Sequence, residues 1–115
     1  MKRLFKSFIY AFRGFTKTWR EEQNLRLQSL FALLVIVLGI YLGLERLEWV
    51  AVVLAISLVL LMELVNSAVE RITDVLKPRI NGYVKEIKDI MAGAVMFSSV
   101  VAVVIGILVF LPYFL

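Results

Sequence analysis

Three long apolar stretches follow one another along the chain and predict three membrane-spanning helices. They cover about residues 25–44, 47–70 and 89–112, and the polar side chains Glu48, Glu63 and Asn66 stand out in the middle one. A helix of roughly 20 residues crosses a hydrocarbon core of about 30 Å, so each stretch is long enough. The pattern therefore predicts an all-α membrane protein with one domain spanning residues 1–115.

Residues 1–23 show a different pattern, with apolar side chains at steps of three and four and basic side chains largely on the opposite side. This is the pattern of an amphipathic helix lying in the lipid headgroup layer, with Trp19 at the interface. A helix packed on a soluble partner is the alternative. The apolar face holds Leu4, Phe5, Phe8, Ile9, Phe12 and Phe15.

The distribution of basic residues predicts the orientation. Seven of the thirteen Lys and Arg residues lie before or at the start of the first span, five lie in residues 71–88 between the second and third spans, and Arg46 alone lies in the first turn. By the positive-inside rule, the N-terminus and the 71–88 loop are cytoplasmic and the C-terminus lies outside. The chain has 62% hydrophobic residues and a mean hydropathy of +0.92, values that favour a bilayer environment. It has no cysteine and no histidine, which excludes thiol and imidazole chemistry.

Four polar residues at the cytoplasmic end of the second span share one helix stripe. Glu63, Asn66, Glu70 and Asp74 are spaced three, four and four apart. At a rise of about 1.5 Å per residue, Glu63 lies roughly 10 Å below Glu70 and hence inside the apolar layer. A carboxylate at this depth is unfavourable by a few kcal/mol and indicates a functional site.

Other interpretations of the stripe remain open. Its side chains are able to join helices by hydrogen bonds, which suits Asn66 and Ser67 better than an unpaired acid such as Glu63. Glu63 is also a candidate for lining a small pore. Alternatively, the stripe is a candidate for holding together the subunits of a non-catalytic membrane adaptor. Asp74 is expected to be a solvated charge near the end of the helix.

Two further charged pairs lie at the cytoplasmic boundary. Lys88-Asp89 begins the third span, where a lysine either anchors the helix or attracts phosphate. Glu21-Glu22 precedes the first span and provides either a salt-bridge partner or an oxygen ligand for magnesium. The sequence contains no GxxxxGK[ST] loop, no protein-kinase motif and no GxGxxG motif. Any nucleotide must therefore be held by carboxylates, metal and scattered basic groups.

The octapeptide ELVNSAVE at residues 63–70, followed by Asp74 and by Lys88-Asp89, carries a family resemblance. The chain resembles, from end to end, the prokaryotic diacylglycerol kinase and undecaprenol kinase family of small trimeric membrane enzymes. The segments FKSFIYAFRG (residues 5–14), KDIMAGAV (88–95) and IGILVFLP (105–112) are more similar to the undecaprenol branch, whereas residues 78–81 depart from the family pattern.

The resemblance implies an ATP- and Mg²⁺-dependent lipid kinase in the bacterial cytoplasmic membrane, a homotrimer with no nucleic-acid partner. Undecaprenol is the expected substrate and diacylglycerol the alternative. The roles that the resemblance implies are as follows: Glu63 is the general base, supported by Asn66; Glu22 and Glu70 hold magnesium; Arg3, Tyr10, Lys88 and Asp89 contact the nucleotide; Trp19 contacts the lipid substrate.

Overall fold

The computed structural model of the chain describes residues 1–77 and 81–115, which form four helices and no strand. The helices are α1 (Lys2–Glu21), α2 (Gln23–Leu42), α3 (Arg46–Leu76) and α4 (Asn81–Phe114). Helices α2, α3 and α4 are long and apolar enough to cross a membrane, which confirms the all-α fold with three spans. The expected helix break at Pro78 falls in residues 78–80, outside the described residues.

Helices α3 and α4 are longer than the apolar stretches that mark them. With 31 residues, α3 is about 46 Å long, whereas the hydrocarbon core is about 30 Å thick. Both helices therefore continue into residues 71–88, the segment that the sequence pattern predicts as a loop. Hydropathy marks only the part of a helix that lies in lipid, and the helix itself continues for as long as its backbone hydrogen bonds do.

A close helix–helix contact shapes the turn between α2 and α3. Gly43 ends α2 in the left-handed conformation (φ 69°), and its N–H donates to the carbonyl of Gly39 at 3.0 Å. A Cβ atom at Gly39 would lie 2.8 Å from the Trp49 ring, so only glycine allows this approach. Helix α3 then begins with a capping box between Glu45 and Glu48.

Helices α3 and α4 form an antiparallel pair that is joined by polar contacts at both ends. At the end next to the turn between α2 and α3, the Tyr113 hydroxyl donates a hydrogen bond to Glu48. At the opposite end of the pair, the Lys88 ammonium lies 3.3 Å from Asp74. Between them, few apolar side chains are buried within the chain, as expected where lipid covers the rest.

Candidate active site

Among the described residues of the membrane helices, Glu63 is a buried acidic side chain. It lies on α3 and is 3% exposed. Glu22 and Glu70 are near enough for their charges to act on it, and the Gln28 amide is close enough for a hydrogen bond. Three helix segments therefore meet at this carboxylate: the corner between α1 and α2, the start of α2, and α3.

Glu22 occupies the corner between α1 and α2. It is the single residue between the two helices and has extended backbone angles (φ −107°, ψ 111°). Arg26 fixes the corner, because its guanidinium donates to the carbonyls of Trp19 at 3.1 Å and Arg20 at 2.6 Å, at the end of α1. A charged donor on the last carbonyls of a helix is stabilising.

The neighbouring Glu21 has a different partner. Its carboxylate accepts a hydrogen bond from Arg71 on α3 at 2.8 Å, in an ion pair with both side chains about half exposed. Glu21 thus takes the first of the two roles that the sequence allowed, that of a salt-bridge partner. Glu22 is the acid whose charge acts on Glu63, and its role as a magnesium ligand stays a prediction.

Glu70 lies two helical turns from Glu63 on α3. The Asn66 amide donates to the Glu70 carboxylate at 3.3 Å, so the two residues of the predicted stripe are hydrogen-bonded. The contact holds the Asn66 amide against Glu70, and the supporting role of Asn66 stays a prediction. Ser67 and Thr73 are each 1% exposed, and Ser67 has no hydrogen-bond partner for its hydroxyl among the described residues.

The carboxylates at this site are suited to magnesium as oxygen ligands. In residues 1–77 and 81–115, no three acidic side chains are close enough together to hold a metal by themselves. Mg²⁺ in nucleotide sites uses one or two carboxylates and takes its other ligands from phosphates and water. Glu22 and Glu70, the two carboxylates whose charges act on Glu63, are therefore the residues that would hold a metal arriving with a nucleotide.

Lys88 and Asp89 lie on α4 at the mouth of the α3–α4 pair, which is the end where α3 finishes and α4 begins. Lys88 is partly buried and paired with Asp74, whereas Asp89 is exposed. Asp74 is exposed, as expected of a charge near the end of a helix, but it also holds the lysine ammonium. The mouth thus places a basic group at the same end of α3 as Glu70.

The three other candidate residues lie on α1. Arg3 and Tyr10 are exposed, and the Arg13 guanidinium lies over the Tyr10 ring at 5.7 Å from its centroid. Trp19 is 41% exposed and lines a small surface recess beside Phe15. Among the described residues, no hydrogen bond or ion pair joins these three to Glu63 or Lys88, so their assigned roles stay predictions.

Two residues at the site were missed in the sequence. Gln28 lies beside Glu63, and Arg26 fixes the corner that carries Glu22. The sequence does carry one indication of their importance, because both are polar residues at the start of an apolar span. Their partners are on other helices, however, and the pattern of a single helix does not reveal them.

The fold and the site define a three-span membrane protein with a buried carboxylate, Glu63, on its middle span. The family model described as prokaryotic diacylglycerol kinase matches residues 9–110. The chain belongs to the prokaryotic diacylglycerol kinase family, and the resemblance stated from the sequence is confirmed. Membership makes the chain a lipid kinase of the membrane.

Several characterised proteins are similar along most of the chain. The undecaprenol kinase of Bacillus subtilis is 36% identical over 97% of this chain and 91% of its own length. The diacylglycerol kinase of Helicobacter pylori is 33% identical over 86% of this chain and 77% of its own length. The diacylglycerol kinase of Escherichia coli is 26% identical over 89% of this chain and 84% of its own length.

Proposed function

We propose that this protein transfers the γ-phosphoryl group of ATP to the hydroxyl group of undecaprenol, in a reaction that depends on magnesium. The observation that carries the proposal is the burial of the Glu63 carboxylate in a membrane helix, with Glu22, Glu70 and Gln28 around it. A base at this depth meets the hydroxyl of a lipid alcohol, while nucleotide reaches the same site from the cytoplasm.

In the proposed reaction, Glu63 accepts the proton of the lipid hydroxyl as its oxygen bonds to the γ-phosphorus. The bond between that phosphorus and the oxygen bridging to the β-phosphate breaks, and ADP leaves. General-base assistance of this kind typically contributes 10²–10⁴-fold. Bound magnesium would neutralise phosphate charge, and Glu22 and Glu70 are the residues to hold it.

The cytoplasmic mouth is the proposed nucleotide site. Lys88 provides a cation for the phosphates, and it must leave Asp74 or share its charge when nucleotide binds. Arg3 and Tyr10 on the surface helix, together with Asp89, are the proposed contacts for the rest of the nucleotide. Phosphoryl transfer requires mainly positioning and charge neutralisation, so these scattered groups suffice without a phosphate-binding loop.

The preference for undecaprenol is supported by the relative from Bacillus subtilis, which is 36% identical, against 33% and 26% for the two diacylglycerol kinases. Diacylglycerol is the second candidate, because those diacylglycerol kinases are also similar over most of the chain. We further propose the bacterial cytoplasmic membrane as the location, with the N-terminus in the cytoplasm, and a homotrimer as the assembled state.

One assay tests the proposal directly. Purified protein with Mg²⁺ and labelled ATP is given undecaprenol or diacylglycerol at equal mole fraction in mixed micelles. We expect label in both lipids and a higher kcat/KM for undecaprenol. A higher kcat/KM for diacylglycerol would overturn the substrate assignment, and absence of label in both lipids would overturn the kinase proposal itself.

A further inference from the structure

An apolar cavity lies between α2, α3 and α4, on the outer side of Glu63. Its volume is about 410 Å³. On α4 it extends from Ser99 to Phe110, which at about 1.5 Å per residue is roughly 16 Å along the helix. On α3 it extends from Leu60 to Val52, roughly 12 Å. The cavity thus runs along the membrane normal and not across it.

The two ends of the cavity differ in chemistry. Gln28 and Ser99 are the polar residues of its lining, and both lie at the end nearest Glu63; the other lining side chains are apolar or absent. The Gln28 side-chain oxygen is buried and has no hydrogen-bond partner among the described residues. A buried acceptor without a donor is unfavourable. An occupant with a hydroxyl group at this end and hydrocarbon beyond it would satisfy both parts of the lining.

We infer that this cavity receives a single hydrocarbon chain of the lipid alcohol, with the hydroxyl group at Gln28 and Glu63 and the chain directed toward Phe110. The inference rests on the proposed function and adds where the chain of the substrate lies. A volume of about 410 Å³ is near the lower end for sites that hold one small molecule. It accommodates one chain, so the site favours an alcohol with a single chain over a glyceride with two.

If the cavity holds the chain of the substrate, substitutions that shorten the cavity should reduce the length of hydrocarbon chain that it accepts. A Cβ atom at Gly106 meets no other atom within 4 Å, so Gly106→Leu has room to place its side chain in the far half of the cavity. Ala102→Phe blocks the cavity one helical turn from Ser99. Val104→Leu is the control, because Val104 lies on the same helix, is 48% exposed and does not line the cavity.

The experiment measures kcat/KM of each variant relative to wild type for prenol, geraniol, farnesol and undecaprenol. We expect Gly106→Leu to lose at least about tenfold for farnesol and undecaprenol, since two or more displaced methylene groups are worth that much. It should change the value for prenol and geraniol by less than about twofold. Ala102→Phe should also lose activity with geraniol, and Val104→Leu should match wild type for all four alcohols.

A photoreactive farnesol analogue gives a second measurement, which does not require turnover. It should label the segment 102–110 in wild type and lose that label in Ala102→Phe. Equal effects of both cavity variants on all four alcohols would overturn the inference, as would labelling elsewhere. A fall in oligomer mass for Gly106→Leu would also overturn it, because a second copy of the chain would then fill the cavity. Wild type that phosphorylates none of the alcohols would instead refute the proposed function.

Discussion

Replacement of Glu63 by glutamine removes the proton acceptor and keeps the size and hydrogen-bonding capacity of the side chain. Glu63 is 3% exposed, so water has little access to replace it as a base. A loss of 10²–10⁴-fold in lipid phosphorylation corresponds to ~3–5 kcal/mol in the barrier, and we expect a loss within or above this range. The assay is transfer of label from ATP to lipid under single-turnover conditions, which isolates the chemical step from release of product.

The same substitution should leave stability unchanged or raise it. Glu63 carries its charge near two other carboxylates, Glu22 and Glu70, and like charges in a poorly solvated place repel each other. Thermal unfolding in detergent measures this, and Glu86→Gln, an exposed carboxylate on α4, is the matched control. Activity of Glu63→Gln within roughly tenfold of wild type would refute the assignment of the base. Loss of the folded oligomer would support the role of joining helices.

Three further predictions concern the charged groups and the topology. Glu22→Gln and Glu70→Gln should each raise the Mg²⁺ concentration required for half-maximal activity and cut turnover strongly. Glu21→Gln should have a small effect, since an exposed ion pair is worth about 0–1 kcal/mol. A larger effect of Glu21→Gln than of Glu22→Gln would mean that Glu21 is the magnesium ligand. Asp74→Asn should lower the KM for ATP by up to about fivefold, because it releases Lys88 and removes a charge that repels phosphate; a higher KM would show that the pair holds Lys88 in its working position. Single cysteines placed after Leu115 and at Glu45 should be labelled from outside sealed cells and one at Lys85 should not, and labelling at Lys85 would refute the proposed topology.

The three spans and the stripe on α3 were predictable from sequence because both depend on a single helix. Apolar length marks each span, and steps of three and four residues put Glu63, Asn66 and Glu70 on one side of α3. The hydrogen bond between Asn66 and Glu70 is a local i, i+4 contact of this kind. Such contacts follow from helix geometry whatever the rest of the fold does.

The contacts that complete the site depend on how helices align with one another, and sequence patterns do not carry that information. Gln28 lies beside Glu63 only because α2 and α3 pack at a particular relative height. The division of roles between Glu21 and Glu22 likewise depends on Arg71, which is fifty positions further along the chain. Because both residues are glutamates, charge type alone left Glu21 and Glu22 as candidates for the salt bridge and for magnesium.

The corner at Glu22 joins α1 to α2 close to the buried Glu63. A single extended residue separates α1 from α2, so the direction of the Glu22 side chain is set by how the two helices meet. Arg26 holds the end of α1 from within α2, and the pair of Glu21 with Arg71 ties the same end to α3. Both contacts constrain α1 from different directions, because one acts within the corner and the other across to the next span. The surface helix, which also carries the proposed nucleotide residues Arg3 and Tyr10, is thus fixed at the end that delivers Glu22. A metal held between Glu22 and Glu70 would accordingly depend on the same contacts that set the position of α1, the helix proposed to contact the nucleotide.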